Sequence, residues 1–309
     1  IQDIQHSLQS ATGKEKVALL LQWSQYMRIG DSPACIEKVE EALKLSQDFN
    51  LTDYTVQCYM TIAQKYKEIN DHKRALINAK QGLAIAQKSG LIEETGKIST
   101  EIGNILRIEG KYKEALDYYF KSLETRQKEN NLNGIASAYN NIGVVFKLMG
   151  NIEKALEHYR EALKINQKTS NEKQSAISHN NIGNCYTELG KYDTALEHHF
   201  SSHVLRKKLG DEKSVAIALQ NISYLYFKKE ELEKALMHTQ QALEIYQRLN
   251  EKRGIADTLI NLGMLHTKIG DPEGAVLQLE KALDIAADIG DLAVKPVSYT
   301  HLTLPTIVR

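Results

Sequence analysis

Residues 135–165 read IASAYNNIGVVFKLMGNIEKALEHYREALKI, and two helices can be traced through them. Ile135, Tyr139, Ile142, Val145, Phe146 and Met149 recur at helical spacing, so one stripe of the first half is apolar. Gly150-Asn151 interrupts the run, and a glycine at that point supplies the left-handed residue that closes a helix. Ile152, Ala155, Leu156, Tyr159, Ala162, Leu163 and Ile165 form a second stripe. Gly143 and Ala155 fall where two antiparallel helices cross, and a large side chain at both would push the axes apart. Ala162 is expected to leave room for the helix of the next unit.

Displaced by 40 residues, the chain aligns with itself. Ile102-Gly103, Ile142-Gly143, Ile182-Gly183, Ile222-Ser223 and Leu262-Gly263 share one column, with Ile62-Ala63 before them. Gly30, Asn70, Gly110, Gly150, Gly190, Glu230 and Gly270 share a second. Cys35, Ala75, Ala115, Ala155, Ala195, Ala235 and Ala275 make a third, and Ala42, Gly82, Ser122, Ala162, Ser202, Ala242 and Ala282 a fourth. Seven units of 40 therefore tile residues 11–290 without an insertion. One helix pair cannot bury its own apolar stripe, so neighbours must stack into an all-α solenoid. Ile1, Ile4 and Leu8 place residues 1–10 at the end of a preceding repeat helix, and residues 291–296 close the array. Trp23 stands where later units carry Gly or Ala, so the first unit is expected to pack differently.

Composition narrows the function. The 309 residues carry 39 basic and 39 acidic side chains, which removes any global electrostatic case for nucleic acid or an anionic membrane. No apolar run approaches the ~20 residues that span a bilayer. Only 4 prolines interrupt the chain, in keeping with long helices. Cys35, Cys58 and Cys185 lie far apart with no metal-ligand spacing. Unpaired cysteines point to the cytoplasm, whereas a removed signal peptide would point to the periplasm. There is no P-loop, GxGxxG, HExxH or GxSxG, so neither catalysis nor a cofactor is expected of these residues.

Tyr139-x2-Ile142-Gly143-x2-Phe146, followed by Ala155-x3-Tyr159-x2-Ala162, resembles the tetratricopeptide pattern. The resemblance implies a right-handed α-α superhelix of antiparallel helix pairs. The usual repeat is 34 residues. The longer unit here resembles the 40-residue subclass of Pins-type cell-polarity adaptors, and kinesin light chains use similarly long repeats. The extra residues sit at seams 168–174, 208–214 and 248–254, and Gln167 stands where the family has a late proline. The opening HSLQSATGKEKVALLLQWSQ also looks like the sensory repeat region of bacterial signalling proteins. Such regions are commonly followed by a histidine kinase, a nucleotide cyclase or a DNA-binding output domain.

In the tetratricopeptide family the first helix of each unit lines the concave groove. Carried over by position, the groove residues are Lys97, Thr100, Glu101, Asn104 and Arg107, then Asn140, Asn141 and Lys147. Asn180, Asn181 and Asn184 follow, then Gln220, Asn221 and Tyr224, and finally Asp257, Asn261 and Met264. Asn141, Asn181, Asn221 and Asn261 recur once per repeat, a ladder of amides able to grip a peptide backbone. The alternative is that these amides bond to neighbouring helices and stiffen the stack. Groove binding of an extended or helical segment of another protein is the expected function; a sensor region within a larger signalling protein is the alternative. The basic groups of the family's chaperone-tail clamp are absent, so a C-terminal carboxylate ligand is not implied.

Two further features stand apart. His179, His199 and His203 replace what the fourth unit builds from Tyr139, Tyr159 and Leu163. With Gly183 opposite Ala195, His179 is expected against His199, with His203 one turn along, a cluster able to bind a metal or act as a proton switch. The bland reading is three packing histidines. The stretch Val297–Thr306, VSYTHLTLPT, has no helical period and resembles the conceptual translation of a transposon-type sequencing adaptor. That resemblance makes 297–309 a non-native tail joined near Lys295-Pro296; the alternative is a disordered tail.

Overall fold

The computed structural model describes residues 7, 8, 10–26 and 32–290; the expectations for residues 1–6 and 291–309 lie outside it. Fourteen helices run along the described residues, and no strand occurs among them. The first members of the pairs are α1 (Gly13–Gln25), α3 (Thr52–Glu68), α5 (Ile92–Ile108), α7 (Leu132–Leu148), α9 (Glu172–Glu188), α11 (Glu212–Lys228) and α13 (Lys252–Ile269). Their second members are α2 (Ser32–Asp48), α4 (His72–Lys88), α6 (Tyr112–Lys128), α8 (Ile152–Lys168), α10 (Tyr192–Lys208), α12 (Leu232–Arg248) and α14 (Pro272–Ile289). The fold is all-α, built from antiparallel pairs of helices.

The turns set this rhythm. A residue with positive φ stands every 20 positions: Asn50, Asn70, Gly90, Gly110, Asn130, Gly150, Ser170, Gly190, Gly210, Glu230, Asn250, Gly270 and Gly290. Each ends a helix, and the next amide, where described, reaches back five residues, as Asn151 N–H does to Phe146 O at 2.9 Å. Where the following residue is Asp or Asn, its side chain caps the next helix. Asp71 accepts from Arg74 N–H at 3.0 Å, Asn151 from Lys154 N–H at 3.1 Å and Asp271 from Gly274 N–H at 2.9 Å.

Two compact units divide the chain, one ending at Ile165 and the other beginning at Asn166. The first holds a core that runs from Val56 through Ile98, Ile102 and Ile105 to Ile142 and Val145. A second core there gathers Val17, Leu20, Cys35, Val39 and Ile62, and Trp23 packs half-buried against it. The second unit buries Ile222 and Leu225 around Ala195, and Leu259 and Leu262 around Leu279 and Ala282. Cys35, Cys58 and Cys185 are free and buried, and burial pushes the Cys58 thiol up to about 12, which makes it inert.

At the helix crossings the small residues have a definite partner. A Cβ at Gly103 or Gly143 would lie 2.7 Å from the ring of Tyr119 or Tyr159, four residues beyond the crossing alanine. Gly183 meets the His199 ring in the same way. In the sixth pair the combination changes in step: the Ser223 hydroxyl bonds Ala235 O at 2.8 Å and the Thr239 hydroxyl at 2.5 Å. The fourth column has another neighbour than expected. Ser122 and Ser202 donate to Gly96 O at 2.9 Å and Ala176 O at 2.8 Å, carbonyls of the first helix of their own pair. Room is thus made within the pair as well as toward the next unit, where Gly82 meets Ile98.

Candidate partner-binding face

In the first unit α1, α3 and α5 together line a polar cavity of about 500 Å³. Gln25, Gln57, Gln64, Lys67, Lys97 and Glu101 are among its walls. Lys97 is exposed and pairs with Glu93 at 2.5 Å, and Lys67 pairs with Glu101 across neighbouring first helices. Thr100 and Asn104, expected in the groove, are half-buried and bonded to the second helix of their own pair. Thr100 turns to the Ser122 hydroxyl at 2.7 Å. Asn104 donates to Glu101 at 3.2 Å and accepts from the Tyr119 hydroxyl at 2.8 Å. Burial pushes the Tyr119 phenol up, while the adjacent Arg107 guanidinium acts in the opposite direction. Asn140, Asn141 and Lys147 lie half-buried on α7, and Asn140 and Lys147 are engaged within the chain.

In the second unit the amides split into two groups. The Asn221 amide donates to Asn180 Oδ1 at 3.1 Å, so it bridges to the preceding repeat and does not stack on Asn181. Gln220 donates to Thr258 Oγ1 at 2.8 Å and accepts from the Tyr246 hydroxyl at 3.1 Å. These three side chains brace helices, the alternative that the sequence left open for such amides. Asn181 is engaged within the chain too. Tyr224 and Asn261 are exposed, and with Gln220, Phe227 and Met264 they line a cleft of about 70 Å³ between α11 and α13. Asn184 is half-buried on α9, and Asp257 is exposed on α13. Ile217 extends this face, 39% exposed. It stands 40 residues after Ile177 and seven before Tyr224, so helical spacing alone could have placed it.

The expected histidine cluster does not form. His199 is buried beneath Gly183, and His179 turns to His198, with Nδ1 atoms 3.0 Å apart. His203 lies at the seam of α10 and α12 beside Lys207, Gln241 and Glu244. Among the described residues no three His, Cys, Asp or Glu side chains are placed to hold a metal. Burial lowers the pKa of His179 and of His199 to about 4, helped by His198 in the first case and by Arg206 and His198 in the second. A different histidine set repeats. His158, His198 and His238 stand one per repeat and stack on Phe146, Tyr186 and Tyr226 at centroid distances of 5.3, 5.7 and 5.5 Å. Their 40-residue spacing was the signal that could have revealed them.

The geometry has a counterpart among known sequences. A profile described as tetratricopeptide repeat matches residues 94–168, 174–248 and 214–288, more than half of the chain. The chain belongs to the tetratricopeptide repeat family. Among solved structures it is similar to a signal transduction ATPase with numerous domains and a tetratricopeptide repeat sensor from Pyrococcus horikoshii. That match has a TM-score of 0.78 at 19% identity and covers 96% of this chain and 46% of the other. The apo form of RapI matches with TM-score 0.74 at 16% identity, over 97% of this chain and 85% of that one. A Rap protein complexed with competence and sporulation factor matches with TM-score 0.59 at 17% identity, covering 94% and 80%. At these identities the likeness is one of fold, the tetratricopeptide solenoid. No curated protein matches the sequence. No helix of the described residues is long and apolar enough to cross a membrane.

Proposed function

We propose that this tetratricopeptide repeat chain is a protein-interaction scaffold whose first helices hold a segment of another protein. The observation that carries the reading is the row of Ile217, Tyr224, Asn261 and Met264 on α11 and α13. It exposes an aromatic ring and apolar side chains beside amides on one face of the second unit. An exposed aromatic ring and a half-buried methionine beside amides suit a peptide, whose side chains need apolar anchors and whose backbone needs donors and acceptors. The polar cavity over α1, α3 and α5 adds a second stretch of first-helix surface in the first unit, one that favours a charged segment. The Rap structure complexed with competence and sporulation factor supports the reading by analogy of fold.

A photo-crosslinking residue in place of Tyr224, compared with one at the exposed Glu197 on α10, tests this. A polypeptide captured at 224 and not at 197, and lost when Asn261 and Met264 become Ala, is the expected result. Capture at 197 alone would refute it.

A second reading, a sensor region within a larger signalling protein, is favoured by the likeness to the Pyrococcus horikoshii protein, of which this chain spans 46%. The natural coding sequence beyond Lys295 discriminates: a kinase, cyclase or DNA-binding motif supports the sensor reading, and a stop codon favours the scaffold reading.

A further inference from the structure

One column of the repeat closes the seam between successive pairs, and its occupants differ. Arg126 lies across Gly134 and pairs with Glu129 at 3.1 Å. Arg206 donates from Nη1 to Ser214 O at 2.8 Å, and Tyr246 packs on Gly254 while its hydroxyl donates to Gln220. In each of these the long side chain reaches its own seam partner. At the intervening position stands Asn166, 2% exposed and shorter than Arg126, Arg206 or Tyr246, so it satisfies only part of its amide there. Its amide nitrogen donates to Ser178 Oγ at 3.3 Å, and its Oδ1 is buried with no hydrogen-bond partner among the described residues. Turning the amide over only exchanges which polar atom is left without a partner.

A cavity of about 640 Å³ opens at this seam, against about 390 and 320 Å³ at the corresponding seams of the next two repeats. That is within the size range of small-ligand pockets. Asn166, Glu172, Ser175, His179, Phe200 and Val204 line it. Its wall carries one carboxylate and no lysine or arginine, and Glu172 is paired from the rim by Lys208. Val204 is 62% exposed and with Phe200 forms an apolar side. A buried acceptor without a partner calls for an N–H donor from outside, and the apolar side of Phe200 and Val204 suits an aliphatic stem. The array itself shows the matching group: Arg206 places a guanidinium in the next seam.

We propose that the seam at Asn166 is a docking pocket for an arginine side chain of a partner protein, its guanidinium standing where Arg206 places its own one repeat later. The source is a polypeptide and not the free amino acid, because free arginine brings an α-carboxylate toward Glu172 while a peptide arginine brings neutral amides. The pocket lies among second helices and the start of α9, so this inference stands independently of the first-helix face.

The test is a titration of the ¹⁵N-labelled chain with N-acetyl-arginine amide, followed at the Asn166 side-chain amide. A saturable shift there and at Val204 is expected, with roughly tenfold weaker binding of the neutral N-acetyl-citrulline amide. Asn166→Arg, which supplies the guanidinium from the chain itself, should abolish the shift at Val204 and raise the melting temperature. Asn166→Leu, which keeps the size and removes the acceptor, should bind at least several-fold more weakly with unchanged helicity, and it carries the test if the arginine variant does not fold. No saturable shift in the parent chain, citrulline binding equally well, or undiminished binding by the leucine variant would overturn the proposal. Free arginine binding as tightly as its capped amide would overturn the assignment to a protein partner.

Discussion

The amide of Asn221 donates to the side-chain oxygen of Asn180 at 3.1 Å, tying α11 to α9 through two side chains 41 positions apart. Both are half-buried, so removing one leaves the other short of a partner in a place water reaches poorly. Asn221→Ala should therefore lower stability by about 1 kcal/mol. Asn261→Ala, at an exposed site, should stay within about 0.5 kcal/mol. Chemical denaturation of the two variants checks the difference, and equal losses would mean that the bridge contributes nothing.

The sixth pair differs from the three before it by a matched exchange, Ser223 with Thr239 where they have glycine with a ring. Gly143→Ser alone should destabilise by about 1–3 kcal/mol, since its Cβ would run into Tyr159. Adding Tyr159→Thr should recover part of that loss, because the two hydroxyls can then pair as Ser223 and Thr239 do. A double-mutant cycle measures the coupling, and simple additivity would show that the two positions are independent.

Glu230 holds φ at 61°, a left-handed conformation that a side chain with a Cβ adopts at a cost. Replacement by glycine should stabilise the chain by about 0.5–1 kcal/mol, little offset by loss of the exposed pair with Lys268 at 3.4 Å. Hydrogen exchange at the α11–α12 turn should slow accordingly; as the chain stands, this turn should exchange faster than the Gly150 turn. Faster exchange in the glycine variant would contradict the strain.

Acid should weaken the fifth pair first. His179 and His199 have pKa values near 4 in the fold and 6.5 without it, so between those values the unfolded chain binds more protons. The stability due to their neutral forms is complete above 6.5 and declines as pH falls toward 4. His199→Tyr, which copies Tyr159 beneath Gly143, should flatten that decline. A melting-temperature profile over this range, unchanged in the variant, would remove His199 as the cause.

The repeat, its pairing and most helix ends were legible because they rest on spacing. Gly150, Gly190 and Gly270 announce their turns, and Asn50, Asn130 and Asn250 could have been found by extending the 40-residue columns to the seams. Ser170 and Glu230 take the same left-handed conformation without any local preference for it, held there by the helices on either side. Spacing shows which face a side chain occupies but not which rotamer it takes. His179 thus went to His198 instead of His199, and Asn221 to Asn180 instead of outward. The orphaned Asn166 was invisible to pattern reading, because its significance comes from what Arg206 and Tyr246 do at the corresponding seams.

The left-handed residue at every twentieth position also makes the chain a mechanical ruler. Each pair contributes the same length of backbone between equivalent turns, whatever its side chains. Pulled from its two ends, such an array should lengthen in steps of one size, about 140 Å of contour for each forty residues released. The weakest seam would decide only the order in which the steps appear.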